Sequence, residues 1–335
     1  MRQLNISFCL ILLVIVSSSY AQTDINRIKS DPKYWCAEGQ GTTIDEADHD
    51  ALAQIIRQIS VSISANTQET DESGKKDNGV EYSNYTQKGT INSSSFVSLK
   101  NVEMLIVKPE PDAVVFRWVA KSEVDKMFEE RKAKILDFIE TGRIAEQRLQ
   151  IDDALRNYYW ALMLSKAHRD AVYCDFGGKS VNSLTFLPQK IKSVISHVKA
   201  TLEECTYSEN RYKAGVKFTY DGRETASIQL RYFDGQSFIG PLTARNGYGE
   251  LDLVALPADG KLKIRYEYSF RNEAENLDAE LRSVFSETGT VPIDNAMTEI
   301  PVKINQKKNA MTMDNKKSVS SAVSYTHLTL PTIRL

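Results

Sequence analysis

Histidine and cysteine are scarce, with four of each in 335 residues. Cys9 falls in the apolar start of the chain, which leaves Cys36, Cys174 and Cys205 at spacings of 138 and 31 residues that match no zinc pattern. Three thiols allow at most one disulfide with a spare, or three buried small side chains. His49, His168 and His197 have no Ser, Cys or Asp at a recognisable catalytic spacing. Excess charge is missing too: 42 basic against 44 acidic residues give a formal charge of -2, so there is no polycation on which nucleic acid could condense. A long hydrophobic run is also absent. Ile6 to Val16 is the main apolar stretch, well short of the ~20 residues that cross a bilayer. What remains, with 41% hydrophobic residues, is an ordinary globular chain of about two or three domains.

Both ends are read as something other than folded domain. Residues 1–21 carry Arg2, the apolar run and then Ser19-Tyr20-Ala21, which places small residues where a signal peptidase reads. Cleavage before Gln22 is expected, and with Gln rather than Cys at that position no lipid is added. Residues 323–332, Val-Ser-Tyr-Thr-His-Leu-Thr-Leu-Pro-Thr, resemble the translation of a transposon-end sequencing adapter. That resemblance implies an artefact over 323–335, with 287–322, rich in Thr, Pro, Asn and Lys, as a linker to a missing domain.

Between these ends the hydrophobic period changes twice. Ile44, Ala47, Ala51, Leu52, Ile55, Ile56 and Ile59 fall on one helical face, with Thr43 as N-cap and Glu46 as its capping-box partner. Strands are expected from the alternation of Val61, Ile63 and Ala65, from the polar stretch Val80 to Phe96, and from Met104–Val107 and Val114–Ala120. The last two are joined through Pro109-Glu110-Pro111-Asp112. The Trp35-x-x-x-Gly39-x-Gly41 entry, Glu46-Ala47, Ala51-Leu52 and the ending Trp118-Val119-Ala120 resemble the Lpp-twenty lipoprotein family and the N-terminal domain of flagellar assembly protein T. The resemblance covers residues 30–121 and implies an envelope-associated α+β domain without established catalytic residues. The chain departs from that family in lacking the lipid-bearing cysteine.

Residues 122–204 read as a helical connector. Phe138, Gly142, Ala154, Tyr158 and Ala161 sit on the offsets of a tetratricopeptide repeat, where Gly and Ala let two antiparallel helices approach. Thr141, Ala145 and Lys166 replace the Leu, Tyr and Pro of that pattern. Pro188 to Glu204 is expected as a further helix, started by its proline. From Cys205 the period becomes two: Val216, Phe218, Tyr220; Ile228, Leu230, Tyr232; Leu251, Leu253, Ala255; and Leu262 to Phe270. Asp-Gly and Asn-Gly turns separate them, so residues 205–286 are expected to form an immunoglobulin-like β-sandwich. The whole is a multidomain α+β chain: a small α/β-layer domain, a helical hairpin and a sandwich.

Each candidate site also has a packing explanation. Glu46, His49 and Asp50 share a helical side, but acids in a first turn are what the helix dipole favours and a second histidine is missing. Gly177-Gly178-Lys179-Ser180 lacks the earlier glycine of a phosphate-binding loop and reads as a turn. Gly39-Gln40-Gly41 lacks the third glycine of a dinucleotide fingerprint, since Ile44 stands there, and reads as a strand-to-helix turn. Tyr159, Trp160, Tyr232 and Tyr266 are rings that a ligand could stack on, with Phe233 and Tyr268 beside them as sugar platforms. Core packing is the favoured reading of Tyr159 and Trp160. No catalytic residue, metal or cofactor is assigned. The expected function is a non-enzymatic binding, scaffold or assembly protein exported to the periplasm or outer membrane, with envelope proteins as partners. The alternatives are an accessory region of an enzyme whose catalytic domain lies beyond the chain, and a glycan-binding module.

Overall fold

A computed structural model describes residues 24–73, 99–294 and 296–302. The expected signal segment, the Val80–Phe96 stretch and the adapter-like tail lie outside the described residues. A short helix, α1 (residues 24–30), precedes β1 (Tyr34–Gly41) and α2 (Ile44–Ser73). The capping box forms as the spacing requires: the Glu46 amide donates to Thr43 Oγ1 at 3.2 Å, and Glu46 Oε2 accepts the Thr42 and Thr43 amides at 2.8 and 3.4 Å. Val61, Ile63 and Ala65 do not form a strand. The helix runs through them to Ser73, and the Ser60 hydroxyl bonds back to the Ile56 carbonyl within it.

β2 (Glu103–Lys108) and β3 (Ala113–Ala120) complete a three-stranded antiparallel sheet in the order β1-β3-β2. One face, through Ala37, Val115 and Val119, packs on Ala47, Ile55 and Ile59 of α2. Toward the other face, Lys29 of α1 pairs with Glu38 and lies over the Phe116 ring. The glycines of β1 set the distance to α2. A Cβ at Gly39 would stand 2.0 Å from the Ala47 carbonyl oxygen, and one at Gly41 2.6 Å from the Ala47 nitrogen.

α3 (Lys121–Gln147) and α4 (Ile151–Lys166) form the antiparallel pair that the repeat-like spacing foretold. Gly142 faces Tyr158, where an added Cβ would lie 2.8 Å from the ring, and Ala154, Tyr158 and Ala161 are fully buried. Their connection is stitched to the sheet: the Ala226 amide donates to Leu149 O at 2.8 Å, and the Ser227 hydroxyl donates to Asp152.

Next comes a hairpin, β4 (Tyr173–Phe176) and β5 (Lys179–Asn182), turned on Gly177 and Gly178 at φ 62° and 76°. α5 (Ser183–His197) starts five residues before Pro188, because Asn182 Oδ1 caps it by accepting the Leu184 amide at 2.9 Å. It also ends sooner than expected. Val198 to Ser208 is not helix but strand β6, paired antiparallel along β7 (Arg211–Tyr220). Val198 and Leu202 satisfy both periods, so their spacing did not discriminate.

The remaining strands are β8 (Arg223–Glu224), β9 (Ser227–Phe233), β10 (Phe238–Arg245), β11 (Tyr248–Leu253), β12 (Lys261–Tyr266) and β13 (Met297–Pro301). α6 (Arg271–Leu277) and α7 (Ala279–Thr288) intervene before β13, which occupies part of the expected linker. The strand path is single, β13-β12-β9-β10-β11-β7-β6, with β8 on β7, and its two ends approach each other. This near-barrel sheet differs from the two separately bonded sheets of the expected sandwich. Register shifts at Leu202/Glu204 and Ile239/Leu242 interrupt the ladders at positions where such irregularities increase bend and twist. One apolar core joins the sheet interior to α3, α4, α5 and α7. Among the described residues no helix is long and apolar enough to cross a membrane.

Candidate functional site

Two polar clusters lie where elements distant in sequence converge. In the first, Glu146 near the end of α3 accepts three donors: Lys190 Nζ of α5 at 2.8 Å, the Tyr220 hydroxyl of β7 at 2.6 Å and the Tyr158 hydroxyl of α4 at 2.8 Å. Burial works to raise the Glu146 carboxyl, but the bonds from Lys190, Tyr220 and Tyr158 outweigh it and hold the pKa below its ordinary value. Burial and the adjacent carboxylate drive both phenols far up, so they remain neutral donors. Every member of this group is bonded to another, which is the arrangement of a structural knot.

The second cluster sits midway along α3. Val124, Met127 and Phe128 pack in the N-terminal core, Ile135 and Ile139 in the large one, and the fully buried Arg131 lies between. Its guanidinium donates to Glu280 Oε1 of α7 and to the Ala167 carbonyl, each at 2.5 Å. Lys134 pairs with Asp278 and, at 3.3 Å, with Glu280. Arg131 and Arg169 each lie 5.1 Å from the Phe128 ring centre. His168 is buried beside them. Its Nε2 lies 3.0 Å from the Phe128 carbonyl oxygen, and Nδ1 lies 2.9 Å from the Asp170 carbonyl oxygen and 3.1 Å from the Asp170 amide. Burial, aided by Arg131, pushes this imidazole below its ordinary pKa.

The candidates from sequence resolve into packing. Tyr159, Trp160, Tyr232 and Tyr266 are all buried, so none offers a ring face as a platform. The Tyr159 hydroxyl takes the Val291 amide at 2.6 Å, Trp160 Nε1 donates to Ser269 O at 3.1 Å, and the Tyr232 hydroxyl takes the Asp252 amide at 3.1 Å. The Tyr266 hydroxyl is buried without a hydrogen-bond partner among the described residues. Glu46 is occupied by its cap, and Asp50 Oδ2 accepts the Gln40 amide and Gln54 Nε2. Among the described residues no three His, Cys, Asp or Glu side chains are grouped to hold a metal. Gly177-Gly178 is the hairpin tip, where Asp175 Oδ1 accepts the Gly178 amide. Cys36, Cys174 and Cys205 are free thiols, the last two buried.

The fold also brings together groups that the spacing did not show. Ser196, His197 and Asp221 meet at the end of α5, but the geometry is not that of a nucleophile and its base. The Ser196 hydroxyl donates to Ser193 O at 2.8 Å, His197 Nδ1 is also on Ser193 O at 2.7 Å, and Nε2 stands 3.9 Å from Asp221. Only the meeting of α5 with the β7–β8 turn, invisible in sequence, places Asp221 there. Compared with known proteins, the chain matches no family model, no curated protein and no solved structure, so fold and site rest on its own residues.

Proposed function

We propose that this protein is a non-catalytic binding or assembly component exported to the cell envelope. The observation that carries the reading is α3: one continuous helix of 27 residues whose first half belongs to one core and second half to another, locked at the middle by Arg131 and Glu280. Such a spine holds two surfaces at a fixed separation, which is what a scaffold requires and what chemistry in either lobe would not need. The signal-like start and the Lpp-twenty resemblance support the compartment. Affinity capture of the leader-free chain from envelope extracts, with reverse capture by the tagged partner, is expected to recover one defined protein. A chain that captures nothing reproducibly, or that stays unprocessed in the cytosol, overturns the proposal.

A further inference from the structure

On β9, Ile228, Leu230 and Tyr232 point into the core, so Gln229, Arg231 and Phe233 share the outward face. On β12 the same alternation places Lys261, Lys263 and Arg265 outward. The register sets Arg265 directly opposite Arg231. Like charges facing each other across strands oppose pairing. The neighbouring cations on this face are neutralised, Lys261 by Glu299 at 2.8 Å and Lys263 by Asp259 at 2.9 Å. No carboxylate among the described residues forms an ion pair with either arginine. Glu267, further along the same chain direction, accepts at its Oε1 the amides of Tyr268, Ser269 and Phe270. Beside the arginines lie two half-exposed rings: Phe233 and Phe238 are 5.7 Å apart, and the Arg265 guanidinium sits 4.6 Å from the Phe238 centroid. Met297, the β13 neighbour of Arg265, is 48% exposed.

We propose that the outward face formed by Arg231, Phe233, Phe238, Arg265 and Met297 docks an acidic segment of a partner protein. A carboxylate set between two guanidiniums relieves their repulsion and takes up their donors, and arginine, phenylalanine and methionine are the side chains enriched at the centres of protein interfaces. An anionic glycan would supply the charge and a ring face for Phe233 but leaves the exposed Met297 unmatched. The inference rests on the binding function proposed above and assigns its surface.

The test uses the leader-free full chain and a fluorescein-labelled octapeptide of alternating Glu and Leu, read by fluorescence anisotropy, with alginate oligomers and phosphatidylglycerol vesicles as separate probes. Binding of the peptide is expected, weakening at least tenfold in the Arg231→Gln/Arg265→Gln chain and also in Phe238→Ala, and unchanged in Lys213→Gln/Lys217→Gln. Thermal melting supplies a second readout that does not need the probe: Arg231→Gln should melt no lower than the parent, since it removes a like-charge contact. Equal binding by the double variant overturns the assignment, as does alginate or vesicle binding without peptide binding. If envelope capture still recovers the same partner with the double variant, this face is rejected while the binding function stands.

Discussion

The Tyr266 hydroxyl and the Tyr158 hydroxyl are both buried, yet only the second has a partner, Glu146. Removing an unpartnered buried hydroxyl relieves a desolvation cost of about 1–3 kcal/mol, whereas removing a bonded one forfeits its bond. Tyr266→Phe is therefore expected to raise the melting temperature and Tyr158→Phe to lower it, in paired thermal unfolding experiments. His168 gives the pH dependence. Its folded pKa lies below that of the unfolded chain, about 6.5. The unfolded state thus takes up the proton first, so the stability tied to the neutral ring is complete above about pH 6.5 and is lost as pH falls toward the folded value. Melting temperature measured from pH 7.5 down to 5 should fall less in His168→Gln than in the parent. At this scale the sequence was legible where a spacing carries its own geometry: Gly142 opposite Tyr158 follows from the repeat offsets. Glu146 was not legible, because its three donors come from α4, α5 and β7 and no local pattern announces them.

Elements were readable where local chemistry ends them. Thr43 and Glu46 mark the start of α2, and Asp221-Gly222 and Asn246-Gly247 take positive φ in the turns they signal. Elements were misread where one set of residues fits two periods, as at Val198 and Leu202, or where a strand depends on a distant partner. β13 is of the second kind, since two helices separate it from its partner β12, whereas β10 pairs with its sequence neighbours and was missed because Gly240 and Pro241 interrupt its alternation. The packing of α2 on β1 depends on the absence of one side chain. Gly39→Ala would drive a methyl group into the α2 backbone, and overpacking of this sort costs about 1–3 kcal/mol, or more where backbone must move. Unfolding followed by the fluorescence of Trp35 and Trp118, both in this lobe, should shift to lower denaturant.

For the whole molecule, the Arg131–Glu280 bond is where the two cores become one body. Arg131→Met would take from the buried Glu280 its 2.5 Å partner while Lys134 stands at 3.3 Å, and breaking a buried pair from one side costs about 3–5 kcal/mol. The expected outcome is a thermal transition that splits in two, the N-terminal lobe melting apart from the rest, where the parent melts once in calorimetry. A single undivided transition in the variant would show that the lobes are coupled by other contacts. The molecule also has a place where nothing is coupled. The Gly177-Gly178 tip points into open space, with no atom other than those of the adjoining residues within 4 Å of where either side chain would begin, while Phe176 behind it is anchored on Phe186. A peptide tag or a single labelling cysteine can be inserted between those glycines, giving a reporter for partner capture that leaves both termini and the arginine-bearing sheet face untouched.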